Sequence, residues 1–223
     1  MTAINIIRLA ESVHIFTDTK ASLDGLAVGN VVKCLPIPHL SAAVATRGDA
    51  ALLGAIHRTA SQYATYDGLR AGIVHDVRNI ARVTPHALER KALAGQWDAF
   101  IIGWGEHGPD GFGFFSHDLH GVPAFTIYAV QEIVITPVVP HEILDDVMAT
   151  GNHSSIALLL METQRRIYPE VVGGHMIETW IDADGIHNRS LKPFADVAFQ
   201  PAPATKGIKL PAAFAKHQTV VAR

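Results

Sequence analysis

The period of the hydrophobic positions changes four times along the chain. Residues 3–8 and 12–16 are short β-branched and apolar runs separated by Leu9-Ala10-Glu11, which predicts two strands and a turn. Residues 30–36 and 40–45 predict two more strands with a proline-containing turn between them. From Asp49 the period lengthens. Leu52, Ile56, Ala60 and Tyr63 share one helical face, and Asp49 is a suitable cap for it. A second helical stretch covers 74–83, and another starts at Thr84-Pro85, a cap followed by proline at the first helical position. Strand signals return over 99–105, 111–116, 123–129 and 132–136, with 117–121 joining two of them. Residues 140–149 read as a small helix. Ser154 or Ser155 caps a longer one whose inner face carries Ile156, Leu159, Leu160 and Ile167, and Pro169 stops it. Residues 173–182 and 186–191 form a closing hairpin around Ala183-Asp184-Gly185.

Strands, helices, strands, helices, strands is the order of an α+β protein, not of alternating βαβ units. Two antiparallel sheets between two helical layers, a four-layer αββα sandwich, use every predicted element. At 223 residues folding buries roughly 70% of the unfolded surface, enough for one ample core. Residues 1–194 are read as that domain. Residues 195–223, rich in Ala and Pro, are read as an irregular tail, mobile or laid on a neighbour.

Composition narrows the function. Hydrophobic residues make up 48% and charged residues only 17%, the reverse of a disordered chain. So little charge suggests surface covered by copies of the same chain, a homo-oligomer. The net charge of -3 gives no basic footprint, so nucleic acid is not an expected partner. No apolar run approaches the length of a membrane span, and the start lacks a signal-peptide pattern. A cytoplasmic location with no membrane partner is the expectation. The single cysteine, Cys34, excludes a disulfide framework and a Cys-rich zinc site. It follows Lys33 and is read as a buried thiol on the opposite sheet face. His117 and His120 lie three apart in a turn with no third ligand evident, and His14 alternates with Val13 and Ile15 as the solvent side of a strand. No metal and no cofactor are expected. His153 is placed near the presumed mouth of the site.

The sharpest chemical feature is the beginning. Thr2 follows Met1. Removal of Met1 leaves a hydroxyl and a free α-amine on one residue, and that amine has a reference pKa of about 7.7–8.0, suited to a base. Asp18 ends the second strand within Asp18-Thr19-Lys20, and Lys33 sits in an otherwise apolar run. A lysine there either snorkels from an edge or is buried with a partner, and Asp18 is the natural candidate.

Thr2, Asp18-Thr19-Lys20, Lys33 and the run from Ser41 to Asp49 entering a helix together resemble the proteasome-type N-terminal-nucleophile hydrolases, the family of proteasome β-subunits and the bacterial heat-shock-locus peptidase. Val171-Val172-Gly173-Gly174 is similar to that family's Ser-Gly-Gly. The resemblance covers about residues 2–192. It implies that Thr2 is nucleophile and base, Lys33 its electrostatic activator and Asp18 the partner of Lys33, with an oxyanion hole of backbone N–H near Ala45 and Thr46. It implies peptide or small-amide substrates and a homo-oligomer, in some members a ring. Lys20 replaces the family's Arg, and Asn152, with Ser154 close by, stands where active members carry a serine. Pro169 and Val172 replace further polar groups. Two readings therefore stand side by side: an N-terminal-threonine amide hydrolase, and a catalytically silent proteasome-like subunit kept for assembly or binding.

Overall fold

The computed structural model describes residues 2–23, 26–119, 121–148, 152–194 and 220–222. The strands are β1 (Ile4–Arg8), β2 (Val13–Asp18), β3 (Lys20–Leu23), β4 (Leu26–Asn30), β5 (Cys34–Ile37), β6 (Ala42–Arg47), β7 (Asp98–Gly105), β8 (Gly108–Phe115), β9 (Tyr128–Ala129), β10 (Ile133–Thr136), β11 (His175–Asp182), β12 (Gly185–Pro193) and β13 (Val220–Ala222). The helices are α1 (Ala50–Ala60), α2 (Tyr66–Val83), α3 (Ala87–Ala94), α4 (His141–Met148) and α5 (His153–Ile167). One sheet has the order β12-β11-β2-β1-β10-β13, a second β5-β6-β7-β8-β9, and β3-β4 is a separate hairpin. Every pairing is antiparallel.

Strand alternation builds the layers. On β2, Val13 and Ile15 face the second sheet while Phe16 faces α4 and α5. On β6 and β7, Ala43, Ala45, Phe100 and Ile102 face the first sheet. Their neighbours Ala42, Val44, Ala99 and Ile101 pack against α1, α2 and α3. Three apolar layers thus separate four layers of secondary structure, the expected αββα sandwich.

Several boundaries differ from the sequence reading. The hairpin β3-β4 takes up residues of which only Asn30 falls in a predicted strand, and β5 starts at Cys34, after Lys33. The α2 helix begins eight residues early because Thr65 caps it, its side chain accepting from the Gly68 N–H. Asn152, not Ser154 or Ser155, caps α5, accepting from the Ser155 N–H at 2.8 Å. Most of the presumed tail lies outside the described residues, but 220–222 are not irregular. They pair with β10 as an edge strand, satisfying backbone groups that β10 would otherwise expose.

The inner face of α5 also differs. Ala157, Leu160, Met161 and Gln164 are buried, whereas Leu159 is 40% exposed. Those four follow the i, i+3, i+4, i+7 rule. Gln164 belongs to the stripe because its amide exchanges hydrogen bonds with Asn5 of β1 and donates to the Pro137 carbonyl. An apolar criterion rejects that polar residue, and the stripe rotates onto Leu159. Leu160→Ala should therefore cost about 2–5 kcal/mol and Leu159→Ala under about 0.5 kcal/mol; urea unfolding of the two variants separates these assignments.

Candidate active site

Asp18 ends β2 on the face turned toward the helices, and its carboxylate is fully buried. Four donors converge on it. Oδ1 accepts from the Ala3 N–H at 3.0 Å and from Lys33 Nζ at 2.8 Å. Oδ2 accepts from the Gly173 N–H at 3.1 Å and the Lys20 N–H at 3.2 Å. A buried carboxylate without partners is expensive; here both oxygens are served. Burial pushes the Asp18 carboxyl up, and Lys33 with the Ala3 and Gly173 N–H groups opposes it. Burial likewise pushes the Lys33 ammonium down, against the pull of Asp18.

Lys33 reaches this carboxylate by a route the sequence does not show. Read as neighbours in one sheet, β1 and the Lys33 segment are in different sheets. Residues 31–33 lead into β5, the edge strand of the second sheet, while Asp18 belongs to the first. The Lys33–Asp18 pair therefore spans the sandwich at its open edge. Thr2 is buried and directly precedes Ala3. The Lys33 ammonium is thus no further than two hydrogen bonds from the N–H of the residue after Thr2.

The loop before β11 completes the frame. The Gly173 carbonyl accepts from the Thr19 and Lys20 N–H groups at 3.3 and 3.0 Å. Gly174 has φ +76°, and a Cβ there would lie 2.2 Å from Asn30 Oδ1 and 2.4 Å from Thr19 Oγ1, closer than any side chain allows. The second glycine of the pair is required here by backbone shape and close packing.

The other predicted residues scatter. Lys20 donates its Nζ to the Pro169 carbonyl at 2.6 Å, clamping that loop. Asn152 is spent on the helix cap. Ser154 Oγ accepts from Arg189 at 3.5 Å. Ala45 is fully buried and paired on both sides, with Cys34 and Phe100. The β5 ladder ends at that pair, so Thr46 is where β6 first runs beyond its edge partner. His153 lies against His14, with ring centroids 4.5 Å apart, about 13 Å along β2 from Asp18 at the usual strand rise. His14 is not on a solvent face: it is 6% exposed, on the helix side.

A cavity of about 630 Å³ opens beside Lys33, between β5 and the inner face of β2, β11 and β12; Thr17, Val31, Leu35 and Ile177 line it. Its walls are mostly apolar, the kind of surface that takes a side chain or small organic group. Sequence reasoning missed Arg47. This buried side chain pairs with Asp98 Oδ2 at 3.1 Å and donates to the Thr136 hydroxyl. Thr136 is the β10 partner of Ile4, so Arg47 ties the second sheet to the start of β1.

With this geometry in view, the comparisons with known proteins are informative on fold. No protein-family model and no curated protein matches the chain. Among solved structures it is similar to the Anbu (Gly-1) mutant from Hyphomicrobium sp. strain MC1, with a TM-score of 0.63 over 88% of each chain at 13% identity. The shared architecture is a sandwich of antiparallel sheets flanked by helices, Ntn-hydrolase-like in its layering. At this identity the likeness concerns the fold.

Two outcomes follow. Lys33→Met strands the buried Asp18 charge and should destabilise by about 3–5 kcal/mol, read by denaturant unfolding. Cys34 is buried, and its thiol is pushed up to about 12 by desolvation. The neutral thiol is thereby favoured in the fold, so near pH 8 alkylation should be at least about 100-fold slower in the native than in the unfolded chain. Equal rates would show that the layer between the two sheets does not bury it.

Proposed function

We propose that the chain is an amide-bond hydrolase whose nucleophile is the Thr2 hydroxyl, set free for catalysis by removal of Met1. The observation that carries this reading is the buried Lys33–Asp18 pair, 2.8 Å long, beside the segment that begins at Thr2. A threonine hydroxyl needs an adjacent base and an electrostatic aid to attack a carbonyl. The α-amine of Thr2 supplies the base and takes the hydroxyl proton. The Lys33 ammonium favours the developing alkoxide, and Asp18 holds that ammonium in place. A backbone N–H at the free part of β6, near Thr46, stabilises the oxyanion. As the tetrahedral intermediate collapses the C–N bond breaks, and the leaving amine takes that proton from the α-ammonium and departs; water, with the α-amine again as base, then hydrolyses the acyl-Thr2 ester and releases the acid. The cavity beside Lys33 receives the apolar side chain or acyl group of a peptide or small amide.

The second reading, a catalytically silent subunit, is favoured by one specific observation. Asn152, which stands where active members carry the serine near the amine, is spent on capping α5, and Pro169 and Val172 put no polar side chain where active members carry one. On either reading, copies of the chain are proposed to pack into a homo-oligomer, with the Ala/Pro-rich segment at a contact and Ile143, Met148 and Leu159, exposed on α4 and α5, available to it. Light scattering should give a multiple of 24.0 kDa; a concentration-independent monomer contradicts this. No helix among the described residues is long and apolar enough to cross a membrane.

Intact mass of the native protein comes first. A chain beginning at Thr2 supports the enzyme, and retained Met1 supports the silent subunit. With the processed chain, turnover of a peptide library should vanish in Thr2→Ala at unchanged fold. For wild type, kcat/KM should rise as the amine deprotonates, around its reference pKa of about 7.7–8.0. It should fall again as Lys33 loses its proton, at a pH below the ordinary lysine value of 10.5 because burial lowers it. Full activity in Thr2→Ala ends the mechanism.

A further inference from the structure

A second cluster of inward-facing polar side chains lies on the helix side of the six-stranded sheet, away from Lys33. His14 of β2, Glu178 of β11 and His153, the first residue of α5, are far apart in sequence. One ligand atom from each lies within 4.8 Å of the others. Glu178 is fully buried, His14 nearly so, and His153 half-buried. His14 Nδ1 is 2.8 Å from Glu178 Oε1.

We propose that His14, His153 and Glu178 bind a divalent transition-metal ion, zinc before others, with water completing the coordination on the His153 side. Two imidazoles and a carboxylate suit zinc better than calcium or magnesium, which prefer all-oxygen sites. Zinc bonds of about 2.0–2.2 Å in a tetrahedron put neighbouring ligand atoms roughly 3.3 Å apart. The His14–Glu178 separation is 2.8 Å and no ligand pair exceeds 4.8 Å, so side-chain rotations admit the ion.

The surroundings favour the same assignment. Ser12 Oγ lies 2.8 Å from His14 Nε2. With the ion on Nδ1, Nε2 carries the proton and donates it to Ser12, the kind of outer contact that fixes a ligating imidazole. Arg189 Nε donates to Glu178 Oε2 at 2.6 Å, which leaves Oε1 for the ion. Arg189 also brings a positive charge that opposes a cation. Its side chain is 49% exposed and lies over the Trp180 ring, so solvent screens much of that charge. Without an ion, the direct His14–Glu178 bond satisfies both groups. With one, the start of α5 is tied to β2 and β11.

The test uses the full chain, free of any histidine tag and stripped with chelator. Zinc chloride is titrated near neutral pH by calorimetry, and cobalt(II) serves as a visible-absorption reporter. One ion per chain is expected, with the intense cobalt bands of low coordination. Because loss of an outer partner alone typically costs about 10–100-fold, Ser12→Ala should weaken binding within that range and His153→Ala by more. Glu178→Gln, which keeps size while removing charge, should also lose the ion, and His117→Ala should not. Circular dichroism confirms that each variant is folded. Absence of stoichiometric binding, or binding undiminished in folded His153→Ala and Glu178→Gln, overturns the site: the cluster is then an ion-free His–Glu pair and zinc sits adventitiously on other histidines.

Discussion

The Asp18 carboxylate is the point on which the candidate site depends. Its two oxygens join the start of β1 through Ala3, the entry to β5 through Lys33, the β3 hairpin through Lys20 and the glycine turn before β11 through Gly173. Those four segments lead into the two sheets and the separate β3-β4 hairpin, and they lie as far apart in the chain as Ala3 and Gly173. No apolar contact could specify such a junction, because hydrophobic burial has no direction. A buried carboxylate does, because every donor must arrive with the right distance and angle. The junction costs desolvation of two charges, and the carboxylate recovers it only while all four donors are present.

A second junction of the same kind stands nearby. Arg47 and Asp98 are almost completely buried, and the Thr136 hydroxyl links them to β10 beside Ile4. Arg47 Nε and Asp98 Oδ1 find no hydrogen-bond partner among the described residues. The two ion pairs thus brace β1 from either side, Asp18–Lys33 through Ala3 and Arg47–Asp98 through Thr136. A nucleophile must be held within a fraction of an ångström of its working position, and a strand fixed on both flanks by directional bonds meets that demand better than a loop. His14 uses the same face of β2 for another purpose, two turns of the pleat away from Asp18.

Much of this was legible in the sequence, for definite reasons. The αββα layering follows from alternation on β2, β6 and β7, which period-2 reading detects directly. Lys33 stood out because a lysine among Val31, Val32, Cys34 and Leu35 needs a partner, and Asp18 was the acid with the right placement. Other features were hidden. That Lys33 and β1 lie in different sheets is a matter of tertiary topology, to which local pattern is blind. The roles of Asn152 and Gln164 depend on local hydrogen bonds that residue type does not reveal: one caps α5, the other fills a core position through its amide. His14 was assigned to solvent from alternation alone. The sheet buries both faces, so its polar side chains must find partners, and Glu178 lies 164 residues away in sequence. Arg47 left no signal beyond its place at the end of an apolar strand.

The account rests on Thr2 being activated by the Lys33–Asp18 pair, and acyl trapping tests that most directly. Chain shown to begin at Thr2 is treated with a small β-lactone or active ester, digested and mapped by mass spectrometry. The predicted result is a single acyl group on the hydroxyl of Thr2, formed much more slowly in Lys33→Ala that remains folded. Acylation spread over surface lysines with none on Thr2, or acylation of Thr2 at the same rate without Lys33, contradicts the account.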